Sequence, residues 1–254
     1  MSDVTILPGC EPMSHVGSRE AGVLVLHGFT GNPSSMRLQA NAFAALGYHV
    51  ELPRLPGHGT SVDDMLPTRW SDWTAEVEAA YQRLAERTGK VVVMGLSMGG
   101  ALTLWAGLQY PEVAGLVLVN AAAQPRPADV IEMIEELVED GHTVLPGIGS
   151  DIADPDVDEI AYEGTPCQAL LSLHHDGIAP MADRYGELTM PLLVYTSRND
   201  HVVPPENSEH IVATAGGAVE HVWLDRSFHV ATQDYDRDDI TAGAAAFVAR
   251  VTGA

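Results

Sequence analysis

Short β-branched apolar runs alternate with longer amphipathic stretches along most of this chain, and that alternation restricts the fold more than any other feature. Residues 22–27 (GVLVLH), 48–52, 91–95 (VVVMG), 113–119, 191–196 (PLLVYT) and 218–224 predict strands. Residues 33–46, 70–87, 98–109, 205–214 and 235–251 predict helices, with Gly47 and Gly89 where C-terminal caps are expected. Strands and helices in alternation imply an α/β fold with a mostly parallel central sheet and helices on both faces. Parallel strands covered on both sides read as unbroken apolar runs, and these do.

One stretch breaks the pattern. From about Gln124 to Tyr185 no convincing strand is legible. Val130, Ile131, Ile134, Leu137 and Val138 recur at helical spacing; an acidic, proline-punctuated loop covers residues 151–159, and a second helical region covers 169–173. Loops this long are usually functional. The expectation is one domain, residues 1–254, with a cap insertion at about 124–185 lying over the active site. The length of 254 residues suits that arrangement better than two full domains.

Charge narrows the partners. Thirty-five Asp and Glu face 13 Lys and Arg, a formal net charge of −22. Such a surface repels nucleic acid and anionic headgroups, and disfavours polyanionic substrates. Two cysteines, Cys10 and Cys167, make no disulfide framework, and free thiols in a reducing compartment are expected. The first residues carry no basic, apolar leader pattern, and no run reaches the roughly 18 apolar residues that span a bilayer. These features predict a soluble cytoplasmic protein without stable membrane insertion, and leave the oligomeric state open.

The chemistry centres on Gly95-Leu96-Ser97-Met98-Gly99, a G-x-S-x-G motif. The motif is short, but it follows a predicted strand and opens a predicted helix, the setting in which a serine is held on a sharp turn above the sheet. Serine needs a base to take its proton. Of 11 histidines, His229 lies after the last predicted strand and before the final helix, on the same edge of the sheet as Ser97. His27 is the rival by proximity and is assigned a structural role. His174 and His175 fall in the insertion and are expected to face solvent or the pocket rim. An imidazole base needs an orienting acid. Asp200 follows the strand at 191–196, and Asp225, four residues before His229, is the runner-up. The order Ser97, Asp200, His229 is the one expected when a serine sits on a strand–helix elbow. Backbone N–H groups must receive the tetrahedral oxyanion. Met98, next after the serine, and Phe29, in the loop after the first apolar strand, are the candidate donors. Ile131, Ile134 and Val138 could shelter an acyl chain, or only pack the cap helix. No His/Cys/Asp set has metal-ligand spacing, and this chemistry requires no cofactor.

Four segments together, Leu26-His27-Gly28-Phe29-Thr30-Gly31, Gly95-Leu96-Ser97-Met98-Gly99-Gly100, Asn199-Asp200-His201-Val202-Val203-Pro204 and Ser227-Phe228-His229-Val230, resemble the bacterial carboxylesterase and monoacylglycerol lipase group of the α/β-hydrolases. Pro56-Gly57-His58-Gly59 resembles that group's loop after its next strand. The resemblance runs from about Gly22 to the C-terminus; the insertion carries no matching motif. It implies an α/β-hydrolase fold bearing a small cap. It also implies hydrolysis of short- or medium-chain esters, with monoacylglycerol the expected substrate, through an acyl-serine intermediate. Ser97, Asp200 and His229 take the triad roles in that comparison, and Phe29 and Met98 the oxyanion roles. Carbon–carbon bond hydrolysis and acyl transfer use the same triad and stay open, as does a non-catalytic binding protein on this fold.

Overall fold

The apolar runs become strands because both faces of the sheet they form are covered. The computed structural model describes residues 5–147 and 149–254. Its strands are β1 (Met13–His15), β2 (Gly22–Leu26), β3 (His49–Leu52), β4 (Val91–Leu96), β5 (Gly115–Val119), β6 (Val144–Pro146), β7 (Gly164–Pro166), β8 (Leu192–Ser197) and β9 (Val219–Leu224). Seven of them make one sheet in the order β1-β3-β2-β4-β5-β8-β9, parallel except for β1 against β3. The helices are α1 (Arg37–Ala45), α2 (Val62–Met65), α3 (Trp70–Ala85), α4 (Met98–Gln109), α5 (Ala128–Glu139), α6 (Cys167–Ser172), α7 (Ala179–Met181), α8 (Glu206–Thr214) and α9 (Arg237–Thr252).

Successive strand residues point to opposite faces. Leu24, Leu26, Val93, Leu116 and Leu118 therefore meet one buried cluster with Trp73, Leu84 and Leu102 of α3 and α4. Val23, Val25, Val92, Met94 and Val117 meet another with Phe43, Ile240 and Phe247 of α1 and α9. A polar residue on either face would be buried without water, which is why the runs show no alternation. Glu51 on β3 is the charged exception, 2 % exposed, and Arg83 and Arg87 pair with it at 3.0 and 2.8 Å.

The topology decides where a site can form. From β2 the chain winds outward to β3, then returns to lay β4 on the opposite side of β2. In open parallel sheets a crevice opens at the strands' carboxyl ends where the winding reverses. Here that point lies between the ends of β2 and β4, at His27–Gly28 and at Ser97. Ser97 takes φ 58°, ψ −118°, in the left-handed region that side chains rarely adopt. The turn is possible because its flanks lack side chains. A Cβ on Gly95 would stand 2.0 Å from the Gly99 carbonyl oxygen, and one on Gly99 would stand 2.3 Å from that of Leu26.

Two features differ from the sequence expectation. The edge strand β1 is three half-exposed residues long and carries no apolar run to announce it. The insertion does contain strands: β6 and β7 pair antiparallel, three residues each and each ending in proline. Pairs this short leave no periodic signal. The second helical region begins at Cys167 and continues from α6 through a π-helical turn, Leu173–Ile178, into α7. Cys10 and Cys167 are both free and buried. Among the described residues no helix is long and apolar enough to cross a membrane.

Gly99→Ala should lose at least about 2 kcal/mol of stability, because its Cβ meets backbone that cannot move aside. Gly89→Ala, with nothing within 4 Å of the added carbon, should change stability by under about 0.5 kcal/mol. Denaturant melts of both variants check the contrast, and equal losses would contradict the close-approach argument.

Candidate active site

Four strand ends deliver the site's residues. β4 carries Ser97 at its tip, β8 leads into Asp200, β9 leads into the loop bearing His229, and β2 leads into Gly28–Phe29. His229 Nδ1 lies 2.7 Å from Asp200 Oδ2, and the two side chains are 8 % and 1 % exposed. The second Asp200 oxygen accepts the Val202 and Val203 N–H groups, each at 2.8 Å. Those bonds fix the carboxylate's rotation, so the remaining oxygen is aimed at the imidazole. Ser97, Met98, Phe29 and His229 line one cavity of about 390 Å³. Ser97 and His229 share no hydrogen bond in this structure; catalytic pairs commonly tighten only when substrate is bound. Asp225, the alternative acid, lies on the surface with Arg198 at 2.7 Å.

The loop after β2 is held from behind. His27 is fully buried; its Nε2 accepts the Leu55 N–H at 3.1 Å, so its proton sits on Nδ1, 3.0 Å from the Gly28 carbonyl oxygen. Burial, then the neighbouring His58, pushes the His27 pKa well below its usual range, so the imidazole stays neutral. A trans peptide carries its C=O and N–H on opposite sides. Tying the Gly28 carbonyl to His27 therefore turns the Phe29 N–H the other way. Neither Phe29 N–H nor Met98 N–H has an acceptor among the described residues. The Phe29 ring packs edge-on against Trp73 and His58, at 5.8 and 6.3 Å between centroids.

The insertion is stitched into this centre. Asp151 Oδ2 accepts the backbone N–H groups of His201 and His229, both at 3.1 Å, and its Oδ1 lies 2.8 Å from His201 Nδ1. Its own carbonyl accepts the Val230 N–H at 3.1 Å. In return, buried Asp234 accepts the N–H groups of Ala153, Asp154 and Phe228 at 2.8–3.1 Å. Asn120, after β5 and at φ 45°, bridges the Ser197 backbone and the His229 carbonyl at 2.8 and 2.7 Å. Tyr162 donates its N–H to the Thr30 carbonyl at 3.1 Å and its hydroxyl to the Gly57 carbonyl at 2.7 Å. None of these was singled out in the sequence. Asn120 carried a usable signal, a polar residue at a buried strand's carboxyl end. Asp151 was one acid among several in its loop and carried none.

The acyl-pocket expectation needs correction. Ile131 and Ile134 are buried against Cys167 and Leu171, and Val138 packs on the same small cluster; none of the three lines the cavity. The stripe on α5 supplies a core for the insertion itself by meeting α6. A helical stripe announces that an apolar partner exists, not which one. The apolar walls come instead from Leu145, Leu170, Leu173, Ile178, Val202 and Val203. His174 lines the cavity, while His175 is exposed and meets Glu135 at 2.9 Å. Among the described residues no group of three or more His, Cys, Asp or Glu side chains is placed to hold a metal ion.

Comparison with known proteins agrees with this architecture. The profile of the alpha/beta hydrolase family matches residues 23–242. A thermostable monoacylglycerol lipase from Bacillus sp. (strain H-257) is 41% identical over 98% of both chains. A carboxylesterase from Bacillus subtilis (strain 168) is 28% identical, covering 90% of this chain and 92% of its own. A solved structure reported with LipS and LipT, two metagenome-derived lipolytic enzymes, superposes with a TM-score of 0.91 at 44% identity. It covers 97% of this chain and all of the other.

Removing the Asp151 carboxylate leaves the His229 and His201 N–H groups without their acceptor and frees both loops to shift. Asp151→Ala should lower kcat about ten- to hundredfold, with KM changing much less, since small misplacements of catalytic groups cost rates of that order. Steady-state kinetics on a soluble ester measure the split. A rise in KM alone would mean that Asp151 only shapes the pocket.

Proposed function

This chain belongs to the alpha/beta hydrolase family, and we propose that it is a carboxylic ester hydrolase in which Ser97 is the nucleophile. The observation that carries the reading is the Asp200–His229 pair at 2.7 Å, opening onto the same cavity as the strained Ser97 elbow. His229 takes the Ser97 proton through Nε2 as the hydroxyl attacks the ester carbonyl. Asp200, fixed by two backbone N–H groups, holds the ring and stabilises the imidazolium. The free N–H groups of Phe29 and Met98 receive the oxyanion. His229 then protonates the leaving alcohol and activates the water that releases the acid from acyl-Ser97.

Monoacylglycerol is the substrate we favour. The cavity joins apolar walls suited to an acyl chain with one carboxyl suited to hydroxyls. Glu159 lies beside the oxyanion loop: a Cβ built on Gly31 would stand 3.4 Å from its Oε1. Burial raises its pKa to about 7 against the opposing pull of His229, and Asp151 adds to the rise. A carboxyl that still holds its proton near neutrality both donates and accepts, which matches a glycerol moiety. The 41% identity to a monoacylglycerol lipase supports the same choice.

Wild-type protein should hydrolyse p-nitrophenyl butyrate, and Ser97→Ala should lose about a thousandfold or more of kcat; equal rates would refute the assignment. Monoacylglycerols should be cleaved in preference to triacylglycerol emulsions. Glu159→Gln keeps the donor–acceptor character of the protonated carboxyl. Its KM for a monoacylglycerol should match wild type at about pH 6 and diverge at about pH 8, where wild-type Glu159 has become an anion. Identical KM profiles would remove Glu159 from alcohol recognition.

A further inference from the structure

Of the 13 cationic side chains, 12 have a hydrogen-bond or ion-pair partner among the described residues. Lys90 and Arg19, Arg37, Arg54 and Arg69 bind backbone carbonyls, and the rest meet carboxylates. Arg126 alone has none, in a chain with 35 carboxylates to choose from. It lines the mouth of the cavity, exposed to solvent on one side. The wall on the other side desolvates its guanidinium enough to lower its pKa.

His174 lines the same wall and lies against the Arg126 backbone, and its Nδ1 meets that of His175 at 3.3 Å. Burial, with His175 and Arg126 nearby, lowers the pKa of His174, so the ring is neutral and brings no charge that would compete with the guanidinium for an anion.

We propose that Arg126 forms a carboxylate-binding subsite at the cavity, a reading that rests on the ester-hydrolase assignment. A guanidinium takes a carboxylate through two parallel N–H donors. Two ester-hydrolase ligands bring that group. One is a half-ester, whose acyl part ends in a second, ionised carboxylate. The other is the acid released by the reaction, held on its way out. The cavity's own acids oppose an anion only weakly. Asp151 is engaged by the His201 ring and two backbone N–H groups, and Glu159 is partly protonated at neutral pH.

The test compares mono(p-nitrophenyl) glutarate with p-nitrophenyl pentanoate, and measures inhibition by hexanoate against hexanol. Each is run with wild type, Arg126→Gln, Arg126→Lys and Arg126→Glu. The readouts are ratios within one preparation, so partial loss of folded enzyme cancels. Arg126→Gln should lower the half-ester to neutral-ester ratio of kcat/KM about ten- to hundredfold, the size of a lost charge-assisted contact. Arg126→Glu should lower it further, and Arg126→Lys should retain part. A fall in that ratio assigns the subsite to a substrate carboxylate. A rise confined to the hexanoate inhibition constant assigns it to the released acid. Both ratios unchanged in Arg126→Gln and Arg126→Glu would overturn the subsite. Absence of turnover on p-nitrophenyl pentanoate by wild type would instead refute the ester-hydrolase reading.

Discussion

The contact of α4 with β2 and β4 through bare backbone is the constraint on which the rest of this structure depends. Gly99 lies against the Leu26 carbonyl and Gly95 against that of Gly99. Because those approaches leave no room for a Cβ, the helix can start one residue after the strand ends. Ser97 is then forced into the left-handed region, at a cost on the order of 1–3 kcal/mol. The buried sheet on either side supplies the rigidity that holds it there. The same closeness brings Gly28 under Ser97, so that a Cβ there would stand 3.3 Å from the Ser97 Cβ. Ser97 and the Gly28–Phe29 loop are therefore set by one packing event at the point where the strand order reverses.

Around that fixed point the structure uses hydrogen bonds rather than apolar packing to place everything that must act together. Asp200 is rotated by two N–H groups, Phe29 is turned by His27, and the β8 and His229 loops are braced by Asn120. Directional bonds specify orientation, which hydrophobic contact does not. The insertion joins the same network through Asp151, Asp234 and Tyr162. It therefore serves as a cavity wall and as part of the support for the His229 loop. Arg126 stands apart, a charged group of that wall without a partner among the described residues.

Legibility in the sequence followed the range of the interactions involved. The six interior and flanking strands of the main sheet, and the helices α1, α3, α4, α8 and α9, were readable because periodicity and caps are local. The parallel arrangement was readable because unbroken apolar runs such as VVVMG make sense only when both faces are covered. Short elements were not: β1, β6 and β7 have three residues each, too few for any period. The stripe of Ile131, Ile134 and Val138 was visible as a stripe, yet its partner was not. Which helix face it meets is fixed by residues such as Cys167 and Leu171, more than 25 positions away, about which local spacing is silent.

Local spacing was enough for the family resemblance, the α/β architecture and the choice of Ser97, Asp200 and His229 as candidates, because each sits at a strand's carboxyl end within a short recognisable segment. How those segments are aimed, and what surrounds them, came with folding alone. The 2.7 Å approach of Asp200 to His229, the neutral His27 behind the Gly28–Phe29 loop and the Asp151 bridge between two loops all join residues 25 or more apart. The raised pKa of Glu159 and the lack of a partner for Arg126 among the described residues are likewise properties of surroundings. Burial, distance and the presence or lack of a partner come into being only when the chain is folded, so no reading of neighbouring letters contains them.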